Sequence, residues 1–159
     1  MSDATSIARR LAELGLVLPG VPAPVAAYVP AVRSRSTVYT SGQLPFVDGV
    51  LVATGKVGVG TGLIDPADAY QYARIAGLNA LAALASAAGG LEHVARIVKL
   101  VGYVASDPDF TGQPGVVNGA SELLRDVLGD VGIHARSAVG VTVLPMNSPV
   151  EIELVADLV

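Results

Sequence analysis

The chain opens with a pattern of apolar and polar residues that is typical of an amphipathic helix. Within residues 2–14 the apolar positions are three or four residues apart, and Gly15 follows as a helix stop. The apolar positions are Ile7, Leu11 and Leu14. We therefore predict a short N-terminal helix, followed by a loop rich in proline and valine over residues 18–24.

Two longer helices are predicted further along, each bounded by residues that favour helix ends. The first follows Asp65, which suits an N-cap, has a proline in its first position and ends at the glycine pair 89–90. Its apolar stripe consists of Leu78, Leu81, Leu84 and Ala88. The second is predicted from about residue 114 to residue 128, where Gly129 ends it.

Stretches that are rich in β-branched residues, or that alternate between apolar and polar, predict the strands. They lie at residues 28–33, 37–41, 50–53, 97–105, 138–144 and 150–158. The order of strands, helix, strand, helix and strands predicts an α+β fold, in which both helices pack on one face of a mixed sheet. The other face is then left apolar, which calls for a partner subunit.

The composition points in the same direction. Hydrophobic residues make up 52% of the 159 residues and charged residues only 15%. This composition is more apolar than expected for a small monomer, whose large surface relative to its volume requires polar residues. A membrane-spanning helix is not expected, because the long stretch 75–91, which has no charged residue, contains polar residues and a helix stop. We therefore expect one domain of a soluble oligomer, preceded by an extension over residues 1–24, with the domain proper at residues 25–159.

The ionisable residues exclude several classes of function. The chain has no cysteine, which excludes disulfides and thiolate chemistry and fits a cytoplasmic protein. The two histidines, His93 and His134, lack metal-ligand spacing, so no metal site is predicted. A net charge of −4 argues against a nucleic-acid partner, which would need a basic face.

Three short segments, taken in order, resemble the signature of the Rid (YjgF-type) reactive-intermediate deaminases, also called the endoribonuclease L-PSP family. They are Thr-Ser-Gly-Gln-Leu-Pro at 40–45, Ala-Arg-Ser at 135–137, and Leu-Pro at 144–145 followed by Val-Glu-Ile-Glu at 150–153. Each segment alone is weak evidence, but the ordered set is specific. The resemblance extends over residues 28–158.

This resemblance implies a chorismate-mutase-like α+β fold that assembles as a homotrimer with sites between subunits. The implied activity is hydrolysis of 2-imino or 2-enamino acids to 2-keto acids and ammonia, without a cofactor. The chain departs from the family at Ala138, where members often have a cysteine, in a few extra residues between Phe110 and Asn118, and in its N-terminal helix. These departures indicate a divergent subgroup and leave the physiological substrate open.

Arg136 and Glu151 are the predicted catalytic residues. A guanidinium matches a carboxylate with two parallel hydrogen bonds, so Arg136 is expected to bind the substrate carboxylate. Ser137, which follows it, is also predicted to bind substrate. Glu151 corresponds to the acidic residue of the family and could take a proton from water. The alternatives are an ordinary surface arginine and, for Glu151 and Glu153, two solvated carboxylates on an exposed strand.

Four more residues are predicted to bind substrate: Tyr28, Ser41, Gly42 and Asn118. Ser41 and Gly42 could present backbone N–H groups, although a strand-ending turn explains them almost as well. Tyr28 could close the pocket, and the alternative is a buried core tyrosine. Asn118 could contact substrate or a neighbouring subunit, but an amide on the helix surface is equally plausible. His134 is interpreted as a flanking loop residue.

Two functions from different classes remain open at this point. The first is an imine or enamine hydrolase. The second is a non-catalytic trimer that binds small 2-keto or amino acids, which would need Arg136 but not Glu151. A ribonuclease finds no support in an acidic chain with no pair of catalytic histidines, and chorismate mutase activity rests on fold analogy alone.

Overall fold

The computed structural model describes residues 4–21 and 27–159. Its helices are α1 (Ala4–Glu13), α2 (Pro66–Ala88) and α3 (Gln113–Leu128). Its strands are β1 (Ala31–Ser34), β2 (Thr37–Thr40), β3 (Phe46–Val47), β4 (Val50–Leu51), β5 (Val94–Ala105), β6 (Ala135–Val141) and β7 (Val150–Leu158). The predicted start of the first helix, the last three residues of the predicted loop (22–24) and the predicted domain boundary at residues 24–25 lie outside the described residues.

Five strands form one sheet in the order β1-β2-β7-β5-β6, and β3 pairs with β4 in a separate hairpin. Within the large sheet only β5 and β6 are parallel, so the sheet is mixed, as predicted. Helices α2 and α3 pack on one face, and the core lies between them and the sheet. The predicted α+β class is confirmed.

Alternation along β7 separates its two sides. Its even-numbered residues, such as Ile152 and Leu154, are buried beneath the helices, and its odd-numbered residues, Glu151 among them, point to the other side. We call this second side the open face. It is only partly apolar, contrary to the prediction, because carboxylates of β7 alternate onto it beside exposed apolar residues such as Tyr39 and Val139.

Several strand boundaries differ from the prediction. β1 begins at Ala31, so Tyr28 lies before it, because Pro30 has no N–H group to donate to a strand. β4 ends at Leu51, two residues earlier than predicted. Leu51 pairs with Phe46, the first residue of β3, and the residue before Phe46 is Pro45, which has no N–H group with which to continue the ladder. β5 begins three residues earlier than predicted, at Val94.

The predicted boundaries of β6 are wrong at both ends. β6 starts at Ala135 and ends at Val141, three residues earlier than predicted at each end. Its parallel ladder with β5 extends from the pair Lys99–Ala135 to the pair Ala105–Val141, so backbone pairing sets its length. Arg136 therefore lies inside the strand.

The ends of α2 follow the prediction. The Asp65 side chain accepts a hydrogen bond from the Ala67 N–H at 2.8 Å, and Gly89 ends the helix in the left-handed conformation. Helix α3 crosses α2 so closely that a Cβ atom on Gly119 would overlap the carbonyl of Tyr70. Residue 119 must therefore lack a side chain for α2 and α3 to pack this closely.

Helix α1 is joined to the end of α3. Ile7 is buried in the core, and Arg10 donates a hydrogen bond to the Val127 carbonyl at 3.4 Å. An arginine at a helix C-terminus satisfies a carbonyl that has no partner within the helix and complements the helix dipole. Helix α1 therefore packs against the same helix that contacts Arg136.

Candidate functional site

Arg136 lies on β6 with its side chain on the helix side of the sheet. It is opposite Leu100 in the parallel ladder, and Leu100 is fully buried beneath the helices. The guanidinium therefore reaches toward α3. Nη1 donates one hydrogen bond to Asn118 Oδ1 at 2.7 Å and another to Ser121 Oγ at 3.2 Å.

These two contacts determine which part of the guanidinium is available to a ligand. Nη1 has two hydrogens, and both are used. Among the described residues, Arg136 makes no hydrogen bond through Nε or Nη2. Nε–H and Nη2–H form a planar pair of donors with the geometry that a carboxylate accepts in two-point fashion.

A pocket of about 270 Å³ lies beside Arg136, between the second half of α3 and the start of β6. The residues that line it are Ser121, Glu122, Arg125, Gly132, Ile133, His134 and Arg136. Within this pocket the Glu122 carboxylate accepts a hydrogen bond from the Tyr70 hydroxyl at 2.6 Å. Of the two arginines that line the pocket, Arg125 forms an ion pair with Asp126 at 3.6 Å, and Arg136 keeps Nε–H and Nη2–H for a ligand.

Glu151 lies on the open face, half-buried. Burial raises the pKa of Glu151 above its ordinary value, and the charge of Glu153 adds to this rise. The Glu151 side chain lies directly against Gly42, where a Cβ atom would overlap the carboxylate. Residue 42 must lack a side chain for Glu151 to occupy this position.

Glu151 also has a neighbour that the sequence analysis did not single out. Tyr103 is opposite Glu151 in the β5–β7 ladder, and its hydroxyl donates a hydrogen bond to Glu153 Oε1 at 3.3 Å. Burial raises the pKa of Tyr103. Glu153 is therefore paired rather than simply solvated, and alternation along two adjacent strands was the feature that could have revealed it.

Backbone hydrogen bonds of Ser41 and Gln43 hold the segment around Gly42 in place. The Ser41 N–H donates to the Pro30 carbonyl at 2.8 Å, and its hydroxyl donates to the Val29 carbonyl at 2.7 Å. The Gln43 N–H donates to the Ile152 carbonyl at 2.8 Å. In the described part of the chain, the amide of Gly42 is the one of these three that has no backbone acceptor, so only it matches the expected role of a substrate donor.

The remaining predicted residues are more dispersed. Tyr28 is 57% exposed, so the alternative of a buried core tyrosine is wrong for the described chain. Asn118 contacts Arg136, as described above. Ser137 follows Arg136 on the strand and therefore points to the open face. Whether Tyr28, Ser41, Gly42, Asn118 and Ser137 bind substrate stays a prediction.

Arg136 and Glu151 are not brought together within one chain. They lie on opposite faces, two strands apart, and Arg136 is in register with Leu154 through β5. Given the spacing of strands and residues, their Cα atoms are roughly 14 Å apart. No group of three His, Asp or Glu side chains in the described part of the chain is arranged to hold a metal ion, and no described helix is long and apolar enough to cross a membrane.

Comparison with known proteins yields a consistent set of relatives. Residues 8–158 match the family described as "YjgF/chorismate mutase-like, putative endoribonuclease". The protein TCP17 of Trypanosoma cruzi is 40% identical over 153 residues, which is 96% of this chain and 94% of that protein. The solved structure of Atu1372 from Agrobacterium tumefaciens, of unknown function, has a TM-score of 0.88 and 43% identity, covering 96% of this chain and 92% of the other. A Shewanella oneidensis structure described as a "putative endoribonuclease" has a TM-score of 0.89 and 34% identity, covering 96% and 99%.

Proposed function

The chain belongs to the YjgF/chorismate mutase-like family, as the resemblance predicted, and on that premise we propose that it is an imine deaminase. In this proposal it hydrolyses 2-imino or 2-enamino acids to 2-keto acids and ammonia. The ribonuclease that the family description also suggests is less well supported, because the chain has a net charge of −4 and a polyanionic substrate needs a basic surface.

The observation on which the proposal depends most is the state of the Arg136 guanidinium. Asn118 and Ser121 occupy both hydrogens of Nη1, which supports binding of a carboxylate at Nε and Nη2. The orientation is set before a ligand arrives, so less conformational entropy is lost on binding. Every 2-imino acid, and every 2-keto acid product, has a carboxylate next to the reacting carbon.

The raised pKa of Glu151 supports its role as the base. A carboxylate with a higher pKa binds a proton more strongly, which makes it a better general base near neutral pH. In the proposed reaction Glu151 takes a proton from water as the water oxygen bonds to the imine carbon. The resulting tetrahedral carbinolamine then loses ammonia, with a proton delivered to nitrogen, and leaves the 2-keto acid.

A complete site in this proposal needs two subunits. Arg136 faces the helix side of its sheet and Glu151 faces the open side, so a substrate that meets both would lie between Arg136 of one protomer and Glu151 of another. Exposed apolar residues of the open face, such as Val32, Tyr39 and Val139, support its burial against a neighbour. We propose the homotrimer that the family resemblance implies, acting in the cytoplasm without a cofactor.

Activity is tested by generating 2-iminopropanoate with an amino-acid oxidase and following its disappearance with and without the protein. We expect wild type to accelerate the loss and Glu151→Gln to lower the enzymatic rate by at least about a hundredfold, since general-base catalysis contributes 10²–10⁴. Binding of pyruvate should change only a few fold in this variant. Binding without acceleration by wild type would favour the non-catalytic binder over the enzyme.

Assembly is tested separately by light scattering. The proposed trimer has a mass of about three times the 16.1 kDa of the chain. A monomer that still hydrolyses the imine would contradict the intersubunit site, although not the activity itself.

A further inference from the structure

The contacts of Arg136 continue beyond Ser121 to a histidine. Ser121 Oγ lies 3.0 Å from His134 Nε2, and His134 Nδ1 lies 2.6 Å from the Gly132 carbonyl oxygen. Asn118 and Ser121 are three residues apart on α3 and share one face of it, while His134 immediately precedes β6. We call Asn118, Ser121, His134 and Arg136 the Arg136 network.

The direction of each hydrogen bond follows from the carbonyl at the end of the network. A carbonyl oxygen can only accept, so His134 Nδ1 must carry a hydrogen and donate it to Gly132. Burial lowers the pKa of His134, the nearby charge of Arg136 lowers it further, and the bond to Gly132 acts in the opposite direction. The ring is then neutral at pH 7, and Nε2 has a free lone pair.

Ser121 is consequently oriented on both sides. Its hydroxyl donates to His134 Nε2, which turns the oxygen lone pairs toward Arg136 Nη1. Among the charged groups that face His134, Glu122 and Arg125 come from α3 and Arg136 from β6. Since Glu122 is bound by Tyr70, it does not compete for the Ser121 hydroxyl.

We propose that Ser121 and His134 are positioning residues for Arg136, fixing the plane of its guanidinium so that Nε and Nη2 face the substrate carboxylate. This inference rests on the proposed function, in which Arg136 binds that carboxylate. With the Asn118 contact alone, the guanidinium could still rotate about that one hydrogen bond to Nη1. The second contact, with Ser121, removes that freedom, and His134 keeps the Ser121 hydroxyl pointing away from the arginine.

The network is tested first in the free protein, by nitrogen NMR of the histidine rings. The proposal requires His134 to be protonated at Nδ1 and unprotonated at Nε2 at neutral pH. Ser121→Ala removes the donor to Nε2 and should shift the Nε2 resonance of His134 while leaving His93 unchanged. An Nε2-protonated ring in wild type would overturn the proposal, whatever the protein binds.

The second test measures the affinity for pyruvate, a 2-keto acid product, by calorimetry. Ser121→Ala and His134→Ala should each weaken binding about threefold to tenfold, the effect of one ordinary hydrogen bond, because the contact between Arg136 and the carboxylate itself is kept. Ser121→Thr keeps the hydroxyl, and His134→Gln keeps one donor and one acceptor, so both should recover most of the affinity. Ser86→Ala and His93→Ala, at exposed positions of other elements, are the matched controls.

A merely structural role is distinguished with pyruvamide, which has the same shape but no carboxylate. Loss of orientation should lower the ratio of pyruvate to pyruvamide affinity in Ser121→Ala, whereas general destabilisation would lower both affinities together and would overturn the proposal. Thermal melting of each variant provides the accompanying measure of stability.

Arg136→Lys separates this inference from the proposed function on which it rests. Lysine keeps the charge but not the planar pair of donors, so pyruvate binding should weaken about tenfold to a hundredfold. Unchanged affinity in that variant, or no binding by wild type, would reject Arg136 as the carboxylate site and both proposals with it. Weakened binding in Arg136→Lys with no effect of Ser121→Ala or His134→Ala would reject the positioning role alone.

Discussion

The two faces of the sheet hold their candidate catalytic groups in different ways. On the helix side, Arg136 is bound by two side chains of α3, and its position is determined within one chain. On the open face, Glu151 lies against the bare backbone of Gly42 and beside a second carboxylate. The binding half of the proposed site is therefore preorganised in a single chain, while the catalytic half has a carboxylate whose surroundings a partner subunit would complete.

The strongest contrast between the faces is expected in stability. Leu154 and Val155 are adjacent on β7, but Leu154 is 1% exposed beneath the helices and Val155 is on the open face. Leu154→Ala should lower the free energy of unfolding by about 2–5 kcal/mol, because it leaves a cavity in the core. Chemical denaturation monitored by circular dichroism measures this loss.

Val155→Ala is the matched control for Leu154→Ala. In a dilute single chain it should lower the free energy of unfolding much less than Leu154→Ala does. In the proposed trimer a smaller apolar side chain would weaken association, so the melting temperature should fall at the protein concentrations at which the trimer forms. If both variants lose the same free energy of unfolding at every protein concentration, the open face is already packed within one chain.

The sequence predicted the elements with local end signals better than those without them. Asp65 and the glycines at 89–90 bound α2 correctly because capping depends on a few adjacent residues. The bounds of β6 were wrong because its length depends on pairing with β5, which no pattern within the strand reports. The two-residue strand β3 was missed because it is too short to show alternation.

The candidate site divides in the same way. Arg136 and Glu151 became candidates through ordered motifs shared with a family, and their catalytic roles stay predictions. Ser121 and His134 were not, because their contact depends on α3 returning antiparallel across the start of β6, which combines a helical period with a strand register. His134 was interpreted as a flanking loop residue, and the structure shows it bonded on both ring nitrogens.

A smaller effect is expected where the open face meets Gly42. Gly42→Ala would place a methyl group where the Glu151 carboxylate lies, and the flexible end of the glutamate would have to move. The rate of 2-iminopropanoate hydrolysis should fall about tenfold to a hundredfold, because small displacements of a reacting group are costly. Pyruvate binding at Arg136 should remain.

Gly115→Ala is the control for this change, since a Cβ atom there would meet no atom within 4 Å. It should leave hydrolysis near the wild-type rate. Full activity in Gly42→Ala would show that the observed position of Glu151 is not the position in which it acts.

The smallest effect concerns the cost of keeping Glu151 ionised. Burial raises the pKa of Glu151 in the folded chain, so its ionised form is disfavoured there. The free energy of unfolding therefore falls as the pH rises from the pKa of Glu151 in the unfolded chain through its pKa in the folded chain. Glu151→Gln is neutral at every pH, so it should be more stable than wild type at pH 7.5, and this advantage should vanish near pH 4. The gain should stay below about 1 kcal/mol, since the carboxyl is half exposed and solvent screens its neighbours.

Glu153→Gln removes the nearby charge and should bring the pKa of Glu151, measured by carboxyl-carbon NMR, closer to its ordinary value. If Glu151→Gln is instead less stable at pH 7.5, a neighbouring subunit must supply a cation or donor to Glu151, and the open face would then be as preorganised as the helix side.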